Sequence, residues 1–349
     1  MSAASRQEFS NLLVVMTDRH IGNLLVSLYA IQAAQQKLTA NQALTCVIDY
    51  HFLPLANYFM PEIEFIPFNV RGGKTSLWKK IKLFFKMIIR LRQLKIDAAV
   101  DLYGHGESLK IAQLSGAKFI SAFYRRPKLK KKYNWCDKDS PLSVKHQVDF
   151  YLHPFYPFFG QLEPVRLTAP RIVDIDLKVK KKLKELGVSD AKPLIVIHPG
   201  AGKNYKLWPS NYWQQLIAML EKTQKQVLLI GSGNDKAEVD AILEDKSLSA
   251  INGFGKLNLI ETIHLGFISE LMIGNDSGPT HMLATTPSKV YSLFGPTDHI
   301  LWSPLSDNSH IIRSDTICLS ECSKQACARE MSCLQTLSAE TVYNALVKY

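Results

Sequence analysis

The sequence predicts an α/β protein made of two doubly wound, Rossmann-like domains, and three observations carry that expectation. Short, β-rich apolar runs alternate with helix-period segments along the whole chain. At 349 residues the chain is too long for one ordinary core and suits two domains of average size. Four prolines between Pro154 and Pro170 interrupt the pattern near its middle, placing a boundary there and domains at 1–165 and 166–349.

The elements follow in order. Residues 11–16 (Asn-Leu-Leu-Val-Val-Met) form a buried strand, then a polar loop containing Gly22, then a helix over about 24–37. Residues 44–50 and 98–102 read as further parallel strands, and 119–123 as a weaker one. In the second half, strands are expected at 194–198, 227–230, 271–274 and 289–294. Helices at 211–222, 236–243 and 259–265 fall between them, and a final helix over 338–348 has Ser338 as its cap. No internal repeat or low-complexity tract is present.

Hydrophobic residues make up 46% and charged residues 21%, as in soluble globular proteins. No apolar run approaches the ~18–20 residues of a membrane span, and the first residues lack a signal peptide's apolar centre, so a cytoplasmic protein is expected. The net charge of +11 is uneven. Residues 1–170 hold 23 Lys and Arg against 12 Asp and Glu, whereas residues 171–349 hold 19 of each. An anionic partner on the first half is one explanation, and a solvated basic surface is the other.

The most informative stretch is Leu271-Met-Ile-Gly-Asn-Asp-Ser-Gly-Pro-Thr-His281. A strand hands over to a helix there, aiming backbone N–H groups and a helix dipole at one small volume suited to a phosphate. Asp276 is placed for sugar hydroxyls and His281 for a diphosphate; the plain alternative is an ordinary helix cap. His198-Pro-Gly-Ala-Gly202 follows another strand, with Lys206-Leu-Trp-Pro209 close behind. Glycines let a ligand approach the backbone, and Lys206 offers a cation to a leaving phosphate, unless it simply lies in solvent. Gly231-Ser-Gly-Asn-Asp235 lacks the full dinucleotide fingerprint, so NAD binding is not expected. Asp235 either holds ribose hydroxyls or caps the next helix. Phe294-Gly-Pro-Thr297 adds a turn on the same edge.

In this order, and with Gly255-Lys-Leu-Asn-Leu259 between them, these motifs resemble glycosyltransferase family 9, the ADP-heptose:lipopolysaccharide heptosyltransferases. The opening strand followed by His20-Ile-Gly22 is similar too. The resemblance implies a GT-B fold, two Rossmann-like domains facing each other across a cleft, with a first domain for acceptor and a second for nucleotide sugar. It implies inverting, metal-independent transfer of heptose from ADP-heptose to a lipopolysaccharide core acceptor, with no cofactor. Lys206 and Asp276 would then serve catalysis, and Ala201, Gly202, Asp235, Leu257, Ser277, Gly278 and His281 donor binding. Asn23, His105, Arg125 and Arg126 would line the acceptor site.

One position departs from the family. Gly22-Asn23 stands where the family has Gly-Asp, and an amide cannot take a proton at neutral pH. Asp18, Asp101 or the acceptor itself is left as general base, or turnover is weak. Three functions therefore stand open: the heptosyltransferase, a catalytically weak sugar-nucleotide-binding relative, and a transferase for another NDP-sugar. Nucleic-acid binding has little support, because no recognised module or stacking platform is present.

Two basic segments suit an anionic acceptor. Residues 125–132 carry six cations in eight residues, and residues 71–95 carry nine with no acid. The second is interleaved with Trp78, Ile81, Phe84, Phe85, Ile88 and Leu91. It reads as a helix packed on the first sheet or as an interfacial helix touching the inner membrane peripherally. Cys318, Cys322, Cys327 and Cys333 are expected to be thiols, with tetrahedral zinc as the alternative.

Overall fold

The computed structural model describes residues 6–68, 77–123, 127–136, 145–314 and 333–348. The chain divides into two compact units, Met1–Leu167 and Thr168–Tyr349, parted within the proline-rich stretch. The first unit holds β1 (Asn11–Met16), β2 (Ala43–Asp49), β3 (Glu64–Phe68), β4 (Ala98–Asp101), β5 (Phe119–Ala122) and β6 (Trp135–Cys136). They form one sheet in the order β3-β2-β1-β4-β5-β6, parallel throughout. Its helices are α1 (Ile21–Gln35), α2 (Leu53–Phe59), α3 (Leu77–Gln93), α4 (Gly106–Ser115), α5 (Gln147–Leu152) and α6 (Tyr156–Phe159).

A parallel sheet needs both faces covered, and that explains why β1 is apolar from Leu12 to Met16 without alternation. On one side α3 and α4 bring Met87, Leu91, Leu109 and Ala112 against Leu13, Val15, Val47 and Ala99. The helix α1 buries Leu24, Leu25, Leu28 and Ile31. Each such side chain withdrawn from water is worth ~1.5–3 kcal/mol.

The second unit repeats the plan. Its strands β7 (Leu194–His198), β8 (Gln226–Leu229), β9 (Ile251–Asn252), β10 (Leu271–Asn275), β11 (Lys289–Phe294) and β12 (Ser309–Arg313) lie in the order β12-β11-β10-β7-β8-β9. The helices α7 (Val173–Glu185), α8 (Ser210–Lys222), α9 (Lys236–Leu243), α10 (Leu259–Leu265), α11 (Gly278–Leu283), α12 (His299–Trp302) and α13 (Ala339–Val347) accompany them. Trp208, Trp213, Ile217 and Val342 pack with Ile195, Ile197, Val227 and Ile273 in its core.

All eight expected strands are present within a residue or two. The four that sequence patterning did not reveal, β3, β6, β9 and β12, are the outermost strands of the two sheets. Two of them are only two residues long, and β3 carries Pro67, which suits an edge. The first helix starts at Ile21, three residues earlier than its apolar pattern, because the polar turn residues Ile21-Gly-Asn23 already belong to it. Ser338 does cap α13, accepting from Thr341 N at 3.2 Å. Among the described residues no helix is long and apolar enough to cross a membrane.

Candidate active site

In the second unit the chain runs outward from β7 through β8 to β9, then returns to β10 and proceeds the other way to β12. Loops leaving β7 and β10 therefore part from each other at the carboxyl edge, the place where open α/β sheets take ligands. Lys206 comes from the first loop and Asp276 from the second, and Lys206 Nζ donates to Asp276 Oδ2 at 2.6 Å. The carboxylate is buried and the ammonium partly exposed.

Asn275, fully buried at the end of β10, ties the two loops together. Its Nδ2 donates to the Pro199 carbonyl at 2.6 Å, and its Oδ1 accepts from Trp208 N at 3.2 Å. The indole of Trp208 donates onward to the Leu337 carbonyl at 2.8 Å. Residues 199–208 are thus pinned at both ends with Lys206 between. Gly274 is required by closeness: a Cβ there would meet the His198 carbonyl at 2.9 Å.

A second chain of contacts joins three loops. Ser277 Oγ lies 3.1 Å from His198 Nδ1, and His198 Nε2 lies 3.4 Å from Asp235 Oδ2. Burial opposes charge on Asp235, but hydrogen bonds from His198 and from Ser232 N outweigh it and hold the carboxyl below its usual range. The Ser232 contact, 2.9 Å, closes the turn over 233–235; Asp235 makes no side-chain hydrogen bond to α9, the helix that the sequence offered it as a cap. Asp235 also backs directly onto Gly200, where a Cβ would meet Oδ1 at 2.0 Å. The sequence marks His198 only as part of a glycine-bearing turn; its link between Ser277 and Asp235 has no local signature.

The other expected donor residues occupy the same edge. Ala201 and Gly202 follow β7, and the Gly202 position faces open space. Leu257 is half-buried in the loop after β9, where Gly255 has a φ of +67°. Gly278 opens α11, and His281 is buried within it.

In the first unit the order reverses at β1, between β2 and β4. Asp18 follows β1 and is buried. Its Oδ1 accepts from His20 N at 2.9 Å and from His20 Nδ1 at 2.8 Å. Its Oδ2 accepts from Asn23 Nδ2 at 2.8 Å. Burial pushes this carboxyl upward, yet the His20 and Asn23 hydrogen bonds prevail and keep it below its normal range. Asn23 is therefore a donor to Asp18. Thr17 Oγ1, in the same turn, is buried with no hydrogen-bond partner among the described residues.

Asp101, after β4, is fully buried. Its oxygens accept from Tyr103 N, Gly104 N, Ser108 Oγ and Tyr133 Oη at 2.8–3.0 Å. Burial pushes its pKa up to about 6 despite these donors. It latches the loop before α4 and is closed to an acceptor hydroxyl. His105, the residue before α4, stacks on Tyr103 with centroids 4.1 Å apart.

Arg125, Arg126, Cys318, Cys322 and Cys327 lie outside the described residues. Among the described residues no group of three metal-ligating side chains occurs. The helix packed on the first sheet, one of the two readings of residues 71–95, is realised by α3. Met87 and Leu91 of α3 are buried, while Trp78, Ile81, Phe85 and Ile89 form an exposed apolar stripe, flanked by exposed Lys82 and Lys86.

The model of glycosyltransferase family 9 (heptosyltransferase) matches residues 84–332. Lipopolysaccharide heptosyltransferase 3 of Escherichia coli K12 is 36% identical over 255 residues, covering 71% of this chain and 72% of that protein. The solved structure of E. coli ADP-heptose lps heptosyltransferase II superposes with a TM-score of 0.77 at 20% identity, covering 97% of this chain and 98% of that one. A family 9 glycosyltransferase from Veillonella parvula superposes with a TM-score of 0.81 at 16% identity, covering 99% and 98%. Fold and sequence agree with the GT-B, two-Rossmann-domain architecture, and the chain belongs to glycosyltransferase family 9, the heptosyltransferases.

Proposed function

We propose that the protein transfers heptose from ADP-heptose, with inversion, to a lipopolysaccharide core acceptor. The Lys206–Asp276 contact across the β7/β10 switch point carries this proposal. Departure of ADP leaves negative charge on a phosphate oxygen, and an ammonium fixed beforehand stabilises it without reorganisation at that moment. Asp276 holds Lys206 in place and offers its second oxygen to the sugar. Ser277, Gly278 and His281 face the diphosphate, while Ala201, Gly202, Asp235 and Leu257 border the nucleoside.

The first unit takes the acceptor. Asn23 and His105 would line its side, Arg125 and Arg126 would join them by the family resemblance, and its cations match a phosphorylated core. The exposed face of α3 rests on the anionic membrane that anchors such an acceptor, its apolar stripe among the acyl chains and Lys82 and Lys86 at the headgroups. The protein would then work at the cytoplasmic face of the inner membrane without a cofactor.

The test is incubation with ADP-heptose and a heptose-deficient core acceptor. Product should form, and Lys206→Ala should lower kcat by ~10²–10³-fold. Asp276→Asn should impair transfer while leaving thermal unfolding nearly unchanged. Absence of Asp at position 23 keeps one second reading in view, a donor-binding relative with weak turnover. Tight ADP-heptose binding with no product would favour it.

A further inference from the structure

We infer that His198, backed by Asp235, is a proton-accepting switch that turns the Ser277 hydroxyl toward the donor's diphosphate. This rests on the transferase reading and deepens it, and every group involved belongs to the second unit. His198 ends β7, Asp235 follows β8 and Ser277 follows β10, so the three come from neighbouring strands of one sheet. Two glycines keep the space for them. A Cβ on Gly274 would meet His198 Cβ at 3.2 Å, and one on Gly200 would meet Asp235 Oδ1 at 2.0 Å.

The contacts fix where the protons lie. Asp235 is held ionised by its hydrogen bonds, and an ionised carboxylate only accepts. The ring nitrogen 3.4 Å from it, Nε2, therefore carries a proton. In the neutral ring Nδ1 is left with a lone pair, and the Ser277 hydroxyl 3.1 Å away must donate to it. A serine has one such proton. Directed at His198, it leaves Oγ only lone pairs to show a phosphate, which also only accepts. Turning the hydroxyl outward would strand Nδ1 unpaired in a buried ring, which burial penalises.

A second proton on the ring removes the conflict. Nδ1–H donates to Oγ, the hydroxyl proton turns to a phosphate oxygen, and Asp235 balances the imidazolium. The negative charge of an arriving diphosphate favours that state. Donor binding thus takes a proton from solvent, and departure of ADP returns it. His198 is a positioning residue, acting through Ser277. The other ionisable groups on the surrounding loops and helices are Lys206 and Asp276, paired to each other at 2.6 Å, His281 within α11, and Lys203 and Lys236, which are exposed.

The test is calorimetric titration of the full-length protein with ADP-heptose, without acceptor, at pH 8 in buffers of different ionisation enthalpy. ADP is avoided because a terminal phosphate has a second pKa of ~6, whereas the sugar ester has no such proton. A histidine is ordinarily neutral at that pH, so the binding heat should depend on the buffer and report uptake approaching one proton per donor. Above pH 8 the Kd should rise by up to about tenfold per pH unit. His198→Gln keeps a donor for Asp235 and an acceptor for Ser277 but cannot take a proton, so its heat should not depend on the buffer and its Kd should be flat with pH. Asp235→Asn keeps an acceptor for Nε2–H without the countercharge and should reduce the uptake, a check that does not need His198→Gln to fold. Buffer-independent binding by the parent, or undiminished uptake in either variant, overturns the switch and leaves the transferase reading standing. No binding of ADP-heptose to the parent defeats that reading and the switch with it.

Discussion

Asp101 shows how a buried carboxylate is tied to stability as well as to loop shape. Its pKa of about 6 exceeds the ordinary 3.8 because burial outweighs four donors. Between those two values the folded protein binds more protons than the unfolded chain. Its contribution to stability is therefore full below about 3.8 and is lost as pH rises through 6. Asp101→Asn keeps an acceptor for Tyr103 N and Gly104 N, and its amide can donate to the Ser108 and Tyr133 hydroxyls. Urea unfolding should show Asn at this position gaining on the parent by a few kcal/mol as pH rises from about 4 to 7. A constant difference over that range would place the titration elsewhere. The contrast with Asp18 explains what the sequence left hidden. Asp18 and Asp101 both follow apolar strands, yet the first meets an exposed imidazole and an amide within its own turn, and the second meets four donors drawn from as far along the chain as Tyr133. The repeated Asp-x-His at 18–20 and 49–51 was the available signal for the first, and it needs no long-range contact to form.

At the scale of elements, legibility followed burial. Central strands such as β1 and β7 are covered on both faces and so carry unbroken apolar runs that patterning finds directly. Outer strands have fewer constraints: β12 is Ser-His-Ile-Ile-Arg, which no period distinguishes from a loop. The same logic left α3 ambiguous, because its sequence is apolar on two sides. Met87 and Leu91 satisfy the core, so the sheet does not account for Phe85 and Ile89, which are 59% and 57% exposed. Replacing both with serine removes apolar area that only a bilayer would bury. Each side chain is worth ~1.5–3 kcal/mol, so sedimentation with phosphatidylglycerol vesicles should weaken by roughly tenfold or more per side chain. Thermal unfolding should not change. Phosphatidylcholine vesicles should bind the parent less well, because they offer Lys82 and Lys86 no charge. Undiminished sedimentation of the double variant would return α3 to a purely structural role.

Across the whole molecule, charge separates the two halves of the chain more plainly than any motif. The entire excess of eleven positive charges falls in residues 1–170, while residues 171–349 are balanced at 19 against 19. Attraction between exposed charges is cut by salt over a Debye length of ~10 Å at 0.1 M. An acceptor gathered by the exposed lysines of the first unit should feel that screening strongly. In the proposed reading the donor's diphosphate would be held differently, by the partly buried Lys206 ammonium already paired to Asp276 at 2.6 Å, which salt reaches less. Raising ionic strength should therefore raise KM for the core acceptor much more steeply than KM for ADP-heptose, with kcat nearly level. A dephosphorylated acceptor should lose most of that salt dependence while remaining a substrate. Equal salt slopes for donor and acceptor would mean that the basic half is only a solvated surface, the alternative that composition left open, and that acceptor recognition rests on neutral contacts.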